Sequence, residues 1–210
     1  MKFSVIIPAH NSAGYIKNAL ESIAEQTFTD YELIVVCDSC TDNTADVARE
    51  YADIVEEVEY HADGPTRNRG IELATGDWVL FMDDDDWWLH EYVLQQLSDK
   101  IDAEPWADII AFSFIFRHIG YAKPIRRCNG SMWIACWCKC YRRSVIGDAR
   151  FSDITDGSAD VQFFNGIFNR GLRICFWDMP MYYYNYLRPG SISAEMGRTA
   201  PSTKEYWEHA

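Results

Sequence analysis

Four short apolar runs in the first 82 residues, each followed by polar or helix-forming sequence, constrain this chain more than any other feature. Phe3–Pro8 (FSVIIP) ends in a proline, which closes a buried strand because it offers no backbone donor. His10-Asn11-Ser12 supplies cap residues, and Tyr15, Ile16, Ala19, Leu20 and Ile23 then recur at helical spacing. Tyr31–Cys37 (YELIVVC) is a second strand, Asp42 caps a short helix through Val47 and Tyr51, and Ile54–Tyr60 holds a third strand. A helix over Gly64–Ala74 ends at Gly76, and Trp78–Met82 (WVLFM) is a fourth strand. No tight hairpin signal separates these runs. Alternation of this kind predicts an α/β fold: a mostly parallel sheet flanked by helices, with right-handed crossovers.

The second half is less regular. Glu91–Ala103 reads as a helix with Val93, Leu94, Leu97 and Ile101 on one face, and Ile109–Phe116 as a strongly apolar strand. Met132–Tyr141 reads as extended, Ala159–Asn169 as a helix ended by Gly171, Leu172–Phe176 as a strand, and Tyr182–Tyr186 as an aromatic cluster. No repeat or linker divides the chain. One domain over 1–210 is expected, with a nucleotide-type half at 1–100 and an irregular half at 101–210.

The formal net charge of −13 works against a wide basic face for nucleic acid. With 48 % hydrophobic residues there is material for a sizeable core, yet the longest apolar run has eight residues, far below a membrane span of about 20. The seven cysteines are an odd number, and no secretory leader precedes Pro8, so reduced thiols in a cytoplasmic setting are expected. Any membrane association would be peripheral, at the inner face.

Open parallel sheets bind ligands beyond the carboxyl ends of their strands. In this chain that edge receives Pro8-Ala9-His10-Asn11 from the first strand, Asp38 from the second and Asp83-Asp84-Asp85-Asp86 from the fourth. Four adjacent carboxylates repel one another, and a cation or protonation relieves the repulsion. Oxygen-only donors suit Mn²⁺ or Mg²⁺, which use one or two carboxylates and fill their other positions with phosphate and water. A solvated turn capping the next helix is the plain alternative. Phe81-Met82 before the run and Trp87-Trp88 after it anchor the turn, which favours a site. Asp38 either accepts hydrogen bonds from a base or ribose or belongs to a turn, and Arg67 either faces a diphosphate or pairs with the surplus acid; Asn68 is open in the same way.

Ser4-Val5-Ile6-Ile7-Pro8-Ala9-His10-Asn11, Asp38-Ser39-Cys40-Thr41-Asp42-Asn43-Thr44, Thr66-Arg67-Asn68-Arg69-Gly70-Ile71 and Phe81-Met82-Asp83-Asp84-Asp85-Asp86 occur in that order. Together they resemble family 2 glycosyltransferases of the GT-A fold. Tyr182–Tyr186 with Gly190-Ser191-Ile192-Ser193 resembles the closing segment of the bacterial polysaccharide-type members. The resemblance implies inverting transfer of a sugar from a nucleotide-diphosphate donor to a hydroxyl on a saccharide or lipid-linked saccharide acceptor. It would make 1–100 the nucleotide-sugar-binding half and 101–210 the acceptor half. It implies that Pro8, Ala9, His10, Asn11, Asp38, Arg67, Asp83 and Asp84 bind the donor. Asp83 and Asp85 would form the Asp-x-Asp metal motif. Asp160 matches the family's catalytic aspartate, although Ala159 replaces the glutamate usual before it; Asp153 and Asp156 are fallback bases.

Cys136-Trp137-Cys138-Lys139-Cys140 alternates so as to put three thiols on one strand face, but its spacing is not that of structural zinc, even with Cys128 added. Trp87, Trp88, Trp133, Trp137 and Tyr183 are candidate sugar-stacking faces. Two other readings compete. A sugar-1-phosphate nucleotidyltransferase would need a glycine-rich basic loop after the first strand, and a binding module would keep the fold without turnover. A dinucleotide dehydrogenase is disfavoured because no Gly-x-Gly-x-x-Gly follows the first strand.

Overall fold

A computed structural model describes residues 1–117, 120–121, 135–153, 159–168 and 170–185. The expected alternation is present: β1 (Phe3–Ala9), α1 (Ile16–Ala24), β2 (Tyr31–Asp38), α2 (Thr44–Arg49), β3 (Ile54–Val58), α3 (Asp63–Leu73) and β4 (Trp78–Phe81). A short β5 (Trp87–Trp88) and α4 (Val93–Ala103) follow, then β6 (Ile109–Phe116) and β7 (Gly120–Tyr121). After a 3₁₀ turn at Cys136–Cys138 come β8 (Lys139–Arg142), α5 (Arg143–Ile146), α6 (Ala159–Phe168) and β9 (Ile174–Tyr184).

β1 pairs in parallel with β2 and β4, and β3 pairs in parallel with β2. Beyond β4 the pattern changes. β8 runs antiparallel to both β4 and β6, β9 is parallel to β6, and β5 is antiparallel to β9. The sheet over the described residues has the order β3-β2-β1-β4-β8-β6-β9-β5, with β7 on β6. It is therefore mixed, its parallel block confined largely to the first half, where each strand is followed by a helical crossover. β8 slots between β4 and β6 in the opposite sense.

Alternation along the strands sorts the core into two layers. Phe3, Val5, Ile7, Leu33, Val35 and Leu80 face Ile16, Leu20 and Ile23 of α1 and Leu94, Leu97 and Ile101 of α4. Ile6, Ile34, Val36, Val79 and Phe81 face Ile71 of α3 and Phe163, Phe164 and Ile167 of α6. Each fully buried Ile, Leu or Phe contributes about 1.5–3 kcal/mol of transfer free energy. Glycines let α3 sit close. A β-carbon on Gly70 would lie 2.3 Å from Ile6 Cγ2, and one on Gly64 would lie 1.9 Å from the Ser152 carbonyl oxygen.

Three expectations are corrected. Residues 132–134 lie outside the described residues, and Cys136–Cys138 forms a 3₁₀ turn rather than strand. Cys136 therefore packs in the layer of α3 and α6, while Cys138 and Cys140 pack in the other, so the thiols do not share a face. Cys128 and Trp133 lie outside the described residues. The last strand continues from the Leu172–Phe176 signal through the aromatic cluster to Tyr184. It does so because a register shift opposite Phe112–Phe114 accommodates Pro180, which has no amide to donate. Third, α1 has no side-chain cap. The Ser12 carbonyl receives the Tyr15 and Ile16 amides instead, and the side chains of His10 and Asn11 are engaged elsewhere.

Candidate active site

The carboxyl ends of β1, β2 and β3 lead into three left-handed residues: Asn11 (φ 46°), Ser39 (φ 52°) and His61 (φ 54°). None is glycine, so each conformation costs about 1–2 kcal/mol and persists only where neighbours enforce it. Asp38 is a chief enforcer. Its carboxylate accepts hydrogen bonds from the amides of Tyr60 (2.7 Å), His61 (2.9 Å) and Ala62 (2.9 Å) and from the hydroxyls of Ser39 (2.8 Å) and Thr66 (3.1 Å). Burial alone would raise this carboxyl, but the His61 amide, the Ser39 hydroxyl and the other donors outweigh it and hold Asp38 below its ordinary value. Its oxygens are thus occupied by the protein, and Asp38 shapes the edge by holding the 60–62 loop.

His10 and Asn11 stitch the ends of β1 and β2 together. His10 Nδ1 lies 2.6 Å from the Asp38 carbonyl, which can only accept, so Nδ1 carries the proton. Nε2 then accepts from Asn11 Nδ2 at 3.1 Å, and Asn11 Oδ1 accepts from the Thr41 amide at 2.7 Å. Both ring nitrogens are thus engaged, and the imidazole is exposed at this edge. Pro8 and Ala9 are buried in β1 and present backbone at this edge. The N-cap of α2 is Asn43, not Asp42 as expected, and it makes no side-chain cap; the Asp42 carboxylate, one residue earlier, accepts from the Thr44 amide at 3.0 Å and from the Ala13 amide.

The four aspartates divide by partner. Asp83 accepts from Arg67 at 2.5 Å, and Arg67 also pairs with Asp63. Asp84 accepts the His10 amide at 3.2 Å, joining the β4 exit to the β1 exit. Asp86 is fully buried and accepts from the Tyr182 hydroxyl at 2.6 Å and the Asn185 amide at 2.8 Å. Burial pushes the Asp83 carboxyl up to about 7; Arg67 opposes the rise, and the charges of Asp63, Asp85 and Asp160 add to it. Burial and then the charge of Asp85 push Asp84 up to about 7 as well. Burial is the first cause of both shifts, and Arg67 and the His10 amide are donors that reach these two carboxylates. As metal ligands the aspartates offer only oxygens, which fits a hard divalent cation on Asp83 and Asp85. No three His, Cys, Asp or Glu side chains among the described residues form a ready-made cage, so phosphate or water would have to complete the shell.

Arg67 is buried, its guanidinium 5.6 Å from the Phe151 ring centre. Burial opposes its charge, yet Asp63 and Asp83 keep it firmly protonated. Of the two readings of Arg67, the structure shows the pairing with surplus acid, Asp63 and Asp83. Asn68 has a structural task. Its side-chain amide brackets Phe151, donating to the carbonyl and accepting from the amide, both at 2.9 Å. That tether draws the segment leading towards α6 onto α3. Asp160 lies in the first turn of α6, and its Oδ2 accepts the Cys136 amide at 3.3 Å. The charge of Asp160 is felt at both Asp83 and Arg67, so residues 77 apart in sequence share one field. Asp153 is exposed, and Asp156 lies outside the described residues.

Reading the sequence missed Asp63, and it missed that Asp86 and Tyr182, both in segments it singled out, are partners. The i, i+4 spacing of Asp63 and Arg67 was a usable signal for the first. Nothing local marks the second, a pairing across 96 residues.

Comparison with known proteins fits this arrangement. EpsH of Bacillus subtilis, named as a putative glycosyltransferase, is 36 % identical over 104 residues, covering 47 % of this chain and 30 % of EpsH. The poly(ribitol-phosphate) β-N-acetylglucosaminyltransferase TarS of Staphylococcus aureus is 38 % identical over 110 residues, covering 49 % of this chain and 19 % of TarS. The matched stretches thus span less than a third of either relative. The crystal structure of TarS 1–349 with UDP-GlcNAc superposes with a TM-score of 0.79 at 25 % identity, over 99 % of this chain and 64 % of that one. A Pyrobaculum calidifontis mannosyltransferase in complex with GDP-Man and Mn²⁺ shares the fold at a TM-score of 0.69 and 21 % identity, over 97 % of this chain and 67 % of that one. The fold is that of the GT-A glycosyltransferases. The sequence pattern of glycosyl transferase family 2 matches residues 4–150, from β1 through α5 and so through the carboxyl edge just described; the chain belongs to that family.

Proposed function

We propose that this chain transfers a sugar from a nucleoside-diphosphate donor to an acceptor hydroxyl, with inversion at the anomeric carbon, in bacterial cell-surface polysaccharide synthesis. The observation that carries this reading is the convergence of Arg67–Asp83, Asp84–His10 and Asp160 on one acidic edge. The His10 face and the loop held by Asp38 border the base and ribose. Asp83 and Asp85 would hold Mn²⁺ or Mg²⁺, which when bound would screen the diphosphate from the aspartates and stabilise the leaving group's charge. TarS was crystallised with UDP-GlcNAc and the mannosyltransferase with Mn²⁺, which supports both parts.

Asp160 takes the acceptor proton. The Cys136 amide on Oδ2 fixes the carboxylate, a general base needing defined reach to its proton. The acceptor oxygen attacks the anomeric carbon as the bond to the diphosphate oxygen breaks, and Arg67 offsets charge on the departing group. The acceptor is a saccharide or lipid-linked saccharide. No helix among the described residues is long and apolar enough to cross a membrane. A cytoplasmic site of action, with peripheral contact at the membrane's inner face, suits a lipid-linked acceptor.

The test is a thermal-shift panel of UDP-, GDP-, dTDP- and CMP-sugars with and without Mn²⁺. A ligand at about a hundred times its Kd stabilises by roughly 2.7 kcal/mol. One nucleotide class should raise the midpoint, and more so with Mn²⁺; no shift with any sugar nucleotide would overturn the reading.

A further inference from the structure

The donor turn and the general base belong to opposite halves of the chain, yet a continuous bridge of contacts joins them. Tyr182 on β9 is fully buried. Its hydroxyl accepts the Asp83 amide at 3.1 Å and donates to Asp86 Oδ2 at 2.6 Å. The other Asp86 oxygen accepts the Asn185 amide, so one buried carboxylate grips β9 at Tyr182 and again just past its end. The Tyr182 ring stacks on Trp137, with centroids 4.8 Å apart and planes 11° from parallel. Trp137 is also wedged edge-on against Phe114 at 4.7 Å. It belongs to the 3₁₀ turn whose first residue, Cys136, gives its amide to Asp160. Lys139 Nζ donates to the Ala135 carbonyl at 2.7 Å and closes that turn from behind.

We infer that Asp86, Tyr182 and Trp137 are positioning residues that set the separation and angle between the Asp83–Asp85 turn and the Asp160 carboxylate. None touches the reacting atoms. Asp86 is thereby distinguished from its three neighbours: both its oxygens hold β9, so it grips the fold while Asp83, Asp84 and Asp85 face the ligand edge. This inference rests on Asp160 acting as the base. Tyr182 and Asp86 both contact the donor turn, and displacing a reacting group by about 1 Å can cost on the order of a hundredfold in rate.

The experiment is a double-mutant cycle of Tyr182→Phe and Asp160→Asn. Turnover is read as nucleoside-diphosphate release from UDP-GlcNAc with Mn²⁺, or from whichever panel sugar nucleotide the wild-type protein consumes fastest. Tyr182→Phe keeps the stacked ring and removes only the hydroxyl. It should lower kcat by about 10–100-fold while the donor KM changes by less than about threefold. In the Asp160→Asn background the same change should cost less than about threefold, because its target is already gone. Trp137→Phe keeps a smaller ring on Tyr182 and should lower kcat by about 3–10-fold; it carries the test if Tyr182→Phe does not fold. Wild-type kcat in folded Tyr182→Phe, or losses that multiply in the double variant, would overturn the bridge. Wild-type turnover in Asp160→Asn would instead overturn the base assignment on which it rests.

Discussion

Glu32 and Asp83 are acidic residues at opposite ends of one parallel block, near the start of β2 and just past the end of β4, and their surroundings treat the charge in opposite ways. Glu32 lies near the start of β2, where it accepts from the Ser4 hydroxyl (2.6 Å), the Thr75 amide (2.7 Å) and hydroxyl (2.9 Å) and the Gly76 amide (3.2 Å). Burial would raise its carboxyl, but those donors outweigh burial and hold it below the ordinary range. Asp83 has one strong cationic partner and three acidic neighbours in its field, and burial with those neighbours drives it up to about 7. One carboxylate is a finished structural joint; the other sits among acidic neighbours, at the place proposed above for a cation and a diphosphate. Asp38 shows that position alone does not decide. It lies at the ligand edge yet is saturated by five donors, like Glu32.

The largest expected effect falls on the base. Asp160→Asn should lower turnover by about 10²–10⁴-fold with donor affinity within about threefold, measured by product release beside calorimetric titration of the donor. Next comes the cation. Asp85→Ala should weaken donor binding by roughly a hundredfold in Mn²⁺ while chelator-treated wild type and variant bind alike, because several kcal/mol of charge stabilisation depend on the ion. Retained metal-dependent binding would move the cation off Asp85.

At the finished end, function and stability should separate the other way. Glu32→Gln should cost about 2–3 kcal/mol in urea unfolding, with turnover per folded molecule unchanged. The sign of its pH dependence follows from its direction. A carboxyl held low in the folded state stabilises above its unfolded value of about 4.3, and that stability is lost as pH falls through the lower folded value. Wild type should therefore lose stability below about pH 4 more steeply than Glu32→Gln. The smallest effect is at Gly70, where a methyl would press into Ile6. Overpacking costs about 1–3 kcal/mol and helix propensity returns about 1, so Gly70→Ala should lower stability by about 1 kcal/mol. It should also raise donor KM modestly, because α3 carries Arg67.

The first half of the fold was legible because its signals are local. Strand runs such as Phe3–Pro8, helical spacing in Tyr15–Ile23 and glycine stops identify each element without its partners. β8 and β9 were only partly legible. Whether Cys136–Cys140 is strand or turn is decided by Lys139 and Trp137 packing into the interior, and β9 passes through Pro180 only because β6 accommodates a register shift. The candidate site divides likewise. Strand exits placed His10, Asp38 and Asp83–Asp86 on one edge, which the structure confirms. The separate tasks of four identical side chains were not legible, since they depend on Arg67, His10 and Tyr182, reached through the folded chain.

The central claim is that the acidic turn at Asp83–Asp85 is a seat for a divalent cation and a diphosphate together. Calorimetric titration of the nucleoside diphosphate selected by the panel, in Mn²⁺ and in EDTA, tests it most directly in wild type and Asp85→Asn. Wild type should bind at least about tenfold more tightly in Mn²⁺, a difference of about 1.4 kcal/mol, and Asp85→Asn should lose that difference. Equal affinity with and without the cation in wild type would contradict the account.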